Sequence, residues 1–165
     1  MYLFTPQFQI TIPEQCDFSA LNALCDIEIC KDKFGLSKRF LQLAKCFQRD
    51  IGTFAVQKYV REEDVGSDST EIAAFLDAYP SLWLTPIQLL RAVRHLIDVH
   101  AGGQESLLTT YILGRNLFPV MIDGEVYQAH VGYWCDGSLD TQKWHILFTQ
   151  KTGHGLLKNC PLFAL

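Results

Sequence analysis

Hydrophobic and polar positions alternate with a period of two near the start of the chain. Apolar side chains take every second place from Phe8 to Ile12, and Pro13 follows. The alternation, together with aromatic and β-branched residue types, predicts an extended segment or a short edge strand.

The pattern then changes to a helical period. In the segment that follows Cys16, apolar residues recur every three or four places, which predicts a helix beginning at Cys16 or Asp17. A second apolar stripe, of period near 3.6, runs from Phe40 to Ala55 and predicts one long helix facing the core, with Ser37 as its cap. Gly52 lies inside this stripe and disfavours helix there.

Two capping boxes mark further helix starts. Asp68 to Glu71 has the D-x-x-E form, and Thr85 to Gln88 has the T-x-x-Q form with proline at the first helical position. The helix that begins near Asp68 should end near Pro80, and the helix that begins near Thr85 should run to the glycine pair at 102–103. A short helix is predicted over 104–113.

After Gly114 the residue types become those of strands. Three segments, 118–122, 126–134 and 144–149, are dense in Val, Ile, Phe, Tyr and Trp, and Asp123-Gly124 is a tight-hairpin signal. They predict an antiparallel meander. The expected fold is therefore a single α+β domain over 1–165, with a helical N-terminal part up to about Arg115 and a C-terminal antiparallel β-sheet that carries His130.

Composition narrows the function classes. Hydrophobic residues make up 48% and charged residues 19% of the chain, which is typical of a globular protein with an aromatic core. The net charge is −4 and no basic run is longer than Lys38-Arg39, so we expect no nucleic-acid partner. The longest apolar stretch is interrupted at Arg115 and no basic leader precedes an apolar run. We therefore expect a soluble, cytoplasmic protein with no membrane partner, with signal-free export and the oligomeric state left open.

The six cysteines predict reduced thiols rather than a disulfide scaffold, because such scaffolds are concentrated in small secreted domains. No C-x-x-C pair is present, so no metal is expected, and no cofactor motif is present either. Cys25, Cys30 and Cys46 are interpreted as small core residues within helices. His145, which alternates with Ile146, is expected to face solvent.

Cys16 and His130 are the two candidates for chemistry. A cysteine at a helix N-terminus is exposed to unpaired amides and to the helix macrodipole, which favour the thiolate. His130 opens a strand rich in aromatic residues, and such a rigidly held imidazole can act as a base. The alternatives are a partly buried residue beside a helix cap for Cys16, and a half-exposed sheet residue bonded to a carbonyl for His130.

Two segments resemble the papain-like cysteine peptidases, especially their compact bacterial branch. The first is QITIPEQCDFSALNALC, similar to the family's glutamine-containing extended segment followed by the nucleophile's helix. The second is TYILGRNLFPVMIDGEVYQAHVGYW, similar to the family's strand, turn and histidine-led strand. The resemblance covers roughly a quarter of the chain and implies a papain-like fold. The order along the chain, with the cysteine before the histidine, is also that of the family.

The resemblance implies roles for individual residues. Cys16 would be the nucleophile and His130 the general base. Gln150 stands where the family has the Asn or Asp that orients the imidazole. Gln9 is the nearest match to the glutamine of the oxyanion hole, and Gln15 lies adjacent to Cys16.

Three residues depart from or complicate this assignment. Asp136 and Asp140 lie in the loop before Gln150 and are alternative orienting residues. Asp17 puts a negative charge beside the thiol, which opposes thiolate formation and leaves an inactive relic as an open alternative.

Two functions remain. The first is a papain-like thiol hydrolase, a cysteine protease or amidase that cleaves a peptide, isopeptide or amide bond in a peptide or protein substrate, without a cofactor. The alternative is a non-catalytic protein-binding module, such as an adaptor, immunity protein or inhibitor. It would dock a partner through the sheet aromatics, Tyr127, Tyr133, Trp134 and Trp144, or through the acidic loop from Glu62 to Glu71.

Overall fold

The computed structural model describes residues 5–14, 19–46, 52–60, 69–102, 107–110, 115–135, 142–150 and 160–165. Within these ranges the chain forms seven strands, four α-helices and one 3-10 turn at Pro80–Leu82. The strands are β1 (Thr5–Ile12), β2 (Ile27–Ile29), β3 (Phe54–Val60), β4 (Asn116–Ile122), β5 (Glu125–Cys135), β6 (Gln142–Gln150) and β7 (Leu162–Ala164). The helices are α1 (Ala20–Ala23), α2 (Leu36–Cys46), α3 (Ser69–Ala78) and α4 (Pro86–Ala101).

The seven strands form one mixed sheet in the order β1-β3-β7-β4-β5-β6-β2. β2 pairs with β6 in parallel, and β7 meets β4 in parallel, while the other pairings are antiparallel. The predicted papain-like α+β fold, helical first and then an antiparallel sheet, is therefore wrong. Three of the strands precede Arg115, so strands are spread along the chain.

The strand predictions at the two ends are confirmed. β1 is an edge strand, and β4, β5 and β6 form the antiparallel meander. The β4–β5 hairpin turns at Asp123 and Gly124, whose φ angles are 52° and 85°. Two successive residues with positive φ are typical of a type I′ turn, which suits Asp-Gly and matches the twist of the flanking strands.

The first predicted helix is wrong over most of its length. In its described part, from residue 19 onward, only Ala20–Ala23 is helical, and Ile27–Ile29 forms strand β2 along Trp144–Ile146 of β6. Four alternating residues cannot distinguish strand from helix by periodicity, and the pairing with a strand more than a hundred residues away decided the outcome.

The long second helix is also wrong, because it ends at Cys46 and β3 begins at Phe54. Gly52 has a φ of 69°, which a right-handed helix cannot contain. The cap of α2 is Asp32 rather than Ser37: its carboxylate accepts hydrogen bonds from the amides of Phe34, Leu36 and Ser37 at 2.8–3.0 Å.

The two later helices match their predicted places. α4 begins with the predicted capping box: Thr85 accepts from the amide of Gln88, and Gln88 accepts from the amide of Thr85. The helix predicted over 104–113 is not seen at 107–110, which is its described part.

The main core lies on one face of the sheet, which we call the core face. Phe118, Ala129 and Phe148 align across β4, β5 and β6 on this face, and α2 and α4 cover them. Phe40 of α2 packs on Phe148 with ring centroids 4.7 Å apart. The opposite face is called the polar face here. At the β7–β4 junction, Leu76 of α3 covers it in a small apolar cluster.

Candidate functional site

Along β5 and β6, every second side chain points away from the core face, and several of these side chains form a row of polar groups on the polar face. β5 contributes Gln128 and His130, β6 contributes His145 and Thr149, and Cys30 follows the end of β2. We call these five residues the polar row. Their common face follows from the register, since His130 lies opposite Leu147, Gln128 opposite Thr149, and Gly132 opposite His145.

His130 is buried in the middle of the sheet, with only 2% of its surface exposed. Its Nε2 lies 2.8 Å from the hydroxyl oxygen of Thr149. Its Nδ1 has no hydrogen-bond partner among the described residues. Burial, helped by the charge of Arg115, lowers the pKa of His130 to about 4, so the ring is neutral near pH 7.

The structure brings a different cysteine and histidine together. The Sγ of Cys30 lies 3.8 Å from Nδ1 of His145, across the parallel pairing of β2 with β6. The amide of Cys30 donates to the carbonyl of Ile146 at 2.9 Å and so fixes the backbone that carries the thiol. Cys30 is half-buried and His145 is 1% exposed, so of the two side chains the thiol is the one that solvent reaches.

The electrostatic surroundings of Cys30 favour the neutral thiol. Burial is the largest influence and raises the pKa of Cys30, and the charge of Glu28 raises it further. Arg115 and Lys143 act in the opposite direction. Glu28 is itself paired with Lys143 at the rim of the site, which reduces its effect. At rest the side chain of Cys30 is therefore a protonated thiol rather than a thiolate.

The two polar pairs are neighbours on the sheet. His145 lies two residues before Leu147, which is opposite His130, so the two histidines are diagonal neighbours on adjacent strands, with Cα atoms about 7–8 Å apart. The polar row thus places the thiol of Cys30 beside the buried imidazole of His145, and the neutral imidazole of His130 lies next to them.

The other predicted site residues are not gathered at His130. Gln9 is exposed on edge strand β1, four strands from β5, which is about 19 Å across the sheet. Gln150 is exposed and lies three residues after Leu147, so strand alternation directs it to the face opposite His130. Thr149, rather than Gln150, bonds to the imidazole.

Several predicted residues lie outside the described ranges. They are Cys16 with its neighbours Gln15 and Asp17, and the loop candidates Asp136 and Asp140. The acidic loop from Glu62 to Glu71 also lies outside them, apart from the backbone of residues 69–71. The pairing of Cys16 with His130 therefore stays a prediction.

Sequence reasoning missed both members of the thiol–imidazole pair. Cys30 was interpreted as a helical core residue, but it follows a strand, and His145 was expected to face solvent, but it is buried. The usable signal was alternation, because Ile27 and Ile29 alternate with Glu28 and Cys30. That signal gives the face of a side chain and does not reveal that the face is covered.

The aromatic residues proposed for docking a partner are mostly internal. Trp144 is 7% exposed, and Tyr127 and Tyr133 pack against the main core. The large apolar side chain with the greatest exposure in the described part of the chain is Phe34, at 70%. It lies in the loop between Cys30 and α2.

Within the described ranges, no three His, Cys, Asp or Glu side chains are grouped as a metal site would require. None of the described helices combines the length and the apolar character needed to cross a membrane. The comparisons with known proteins found no matching family model, no matching curated protein and no matching solved structure.

Proposed function

We propose that the protein is a thiol hydrolase that cleaves a peptide, isopeptide or amide bond, with Cys30 as the nucleophile and His145 as the general base. The observation that carries the proposal is the 3.8 Å separation of Cys30 Sγ and His145 Nδ1. His145 lies on β6, and Cys30 directly follows β2, which pairs with β6. The amide of Cys30 donates to the carbonyl of Ile146 on β6, so the sheet holds the backbone at both residues.

The protonated thiol of Cys30 suits a general-base mechanism. As Sγ of Cys30 attacks the substrate carbonyl carbon, Nδ1 of His145 takes the thiol proton. The tetrahedral intermediate then collapses: the carbon–nitrogen bond breaks, the imidazolium returns the proton to the leaving amine, and a thioester remains on Cys30. Water attacks the thioester with His145 again as base, which releases the acid and restores the thiol.

Positive charge near the thiol supports the same chemistry. The charges of Arg115 and Lys143, which act on Cys30, also act on the oxyanion that develops beside it. Because Cys30 is half-buried, a substrate carbonyl can reach Sγ from solvent, and the buried His145 is shielded from bulk water.

The test is transient acylation with p-nitrophenyl acetate as the probe, because an activated ester reports on a thiol nucleophile without knowledge of the natural substrate. We expect a burst of p-nitrophenol and an acetyl group on Cys30, located by fragmentation mass spectrometry. Cys30→Ala should abolish the burst, and His145→Gln should slow it roughly 100-fold, as loss of a general base does.

Cys25→Ala is the matched control. Cys25 is an exposed free thiol five residues away, and its Sγ lies 3.6 Å from the carboxylate of Asp26 rather than from a histidine. Its removal should leave the burst unchanged. An undiminished burst in Cys30→Ala contradicts the proposal. An acetyl group on Cys16 that is lost in His130→Gln would instead support the pair predicted from the sequence.

A further inference from the structure

The loop that follows the proposed nucleophile carries exposed positive charge. It runs from Lys31 to Gly35, is called the lysine loop here, and joins Cys30 to the start of α2. Lys31, Lys33 and Phe34 are exposed along it. The acidic residue of the loop, Asp32, accepts hydrogen bonds from three backbone amides at the N-terminus of α2. Its negative charge is therefore partly offset by these amides.

The charge of this region is opposite to that of the chain as a whole. The chain has a net charge of −4, yet residues 31–46 contain five basic residues and one acidic residue. Arg39 is engaged by Asp123 through two hydrogen bonds of 2.6 and 2.7 Å. Lys31, Lys33 and Lys38 have no ion-pair partner among the described residues.

Basic side chains also lie near the thiol, together with the acidic Glu28, whose charge has the largest single effect on it among the charged groups. Lys31 directly follows Cys30, Lys143 pairs with Glu28 at the rim, and Arg115 acts on the thiol electrostatically. Basic side chains are therefore present both in the lysine loop and near the thiol, and Phe34 is an exposed apolar side chain in the same loop.

We propose that the substrate of Cys30 is an acidic polypeptide segment whose carboxylates bind Lys31 and Lys33 and whose apolar side chain contacts Phe34. This inference rests on the proposed function, since it specifies the substrate class of the same site. Charge complementarity of this kind gives specificity and faster association more than raw affinity.

Other polyanions fit the same region less well. A flat anionic membrane meets the lysine loop but does not reach a half-buried thiol, and one exposed aromatic residue gives only marginal membrane binding. A nucleic acid offers phosphodiester bonds, whereas a cysteine with a histidine base is suited to acyl carbon.

The experiment measures binding separately from catalysis. Fluorescence anisotropy with the Cys30→Ala protein compares a labelled peptide rich in Glu with a peptide of the same length and apolar content in which Lys replaces Glu. We expect the acidic peptide to bind more tightly, and added salt to weaken its binding. The double substitution Lys31→Glu, Lys33→Glu should reduce its affinity about tenfold.

Lys45→Glu is the matched control, because Lys45 is also an exposed lysine and lies in the last turn of α2, about 14 Å along the helix from its start. It should leave the affinity for the acidic peptide unchanged within twofold. Equal binding of the two peptides, or equal effects of the loop and control substitutions, overturns the inference. Binding of phosphatidylserine vesicles or of a single-stranded oligonucleotide in preference to the acidic peptide overturns it as well.

Failure of the inference is distinguishable from failure of the proposed function. If acidic peptide binds through the lysine loop but p-nitrophenyl acetate never acylates Cys30, the hydrolase proposal falls and the loop is a binding site without this chemistry. If Cys30 is acylated but acidic and basic peptides bind equally, the hydrolase stands and the substrate class is wrong.

Discussion

His130 shows how one buried residue links the fold to pH. The residue lies between Leu117 and Leu147 on a central strand and is 2% exposed, so its charged form is strongly disfavoured. Its hydrogen bond to Thr149 satisfies one ring nitrogen in the neutral state. Protonation of the folded protein therefore requires a pH near 4, where an exposed histidine titrates near 6.5.

This difference predicts a loss of stability in mild acid. Between pH 6.5 and about 4 the unfolded chain binds a proton at His130 and the folded protein does not, so the free energy of unfolding falls as the pH falls. The contribution of His130 is about 3 kcal/mol over that interval. Urea unfolding at a series of pH values, for the wild-type protein and for His130→Gln, measures it.

In His130→Gln, the free energy of unfolding should depend much less on pH between pH 6.5 and 4, whatever the stability of the variant at pH 7. His100→Gln is the control and should keep the slope, because it leaves His130 in place. A slope unchanged by the His130 substitution would show that other groups are responsible for the acid dependence.

At the scale of elements, helix α4 packs on the core face of the sheet and contributes much of the main core. Its apolar positions Leu89, Leu90, Val93, Leu96 and Ile97 are buried against the sheet, as their spacing predicts. Arg91 is also buried, with 3% of its surface exposed. Its guanidinium donates to the carbonyls of Pro13 and Gly52, which ties the end of β1 and the segment before β3 to α4.

The contribution of the Thr85 cap of α4 to the free energy of unfolding can be measured. Thr85→Ala removes the side chain that accepts from the amide of Gln88, and we expect the free energy of unfolding to fall by about 1 kcal/mol. Thr85→Ser keeps a hydroxyl in the same place and should remain within about 0.5 kcal/mol of the wild-type value. Chemical denaturation at pH 7 measures both, and equal losses in the two variants would argue against a capping role.

At the scale of the whole molecule, the short strand β7 joins two parts of the sheet. It lies between β3 and β4, so it connects the β1–β3 pair to the β4–β5–β6–β2 part. Phe163 of β7 is fully buried and stacks on Phe118 of β4, with ring centroids 5.0 Å apart. Three residues near the end of the chain thereby complete a sheet that began at Thr5.

Phe163→Ala should therefore destabilise the entire sheet. Removal of a fully buried phenylalanine costs about 3–5 kcal/mol, and the loss should appear in one cooperative transition because β7 is shared by both parts of the sheet. Phe34→Ala is the matched control: Phe34 is 70% exposed, and its removal should cost less than about 0.5 kcal/mol. Thermal unfolding followed by circular dichroism and by tryptophan fluorescence tests this, and two separate transitions would contradict it.

The sequence by itself determined the elements whose signals are local. The capping box at Thr85, the apolar stripe of α4 and the Asp123-Gly124 turn each act over four to sixteen neighbouring residues, so they are visible without knowledge of the rest of the fold. The same holds for β1 and for the β4–β5–β6 meander. His130 was also placed on its strand from the sequence.

Only the tertiary structure decided the features that depend on distant pairing. β2 and β3 are strands because β6 and β1 lie beside them, although their own residues also fit a helix. Cys30 and His145 meet because a parallel pairing joins residues 115 apart in the sequence. Local patterns give the face of a side chain, and burial and pairing depend on what the rest of the chain places against that face.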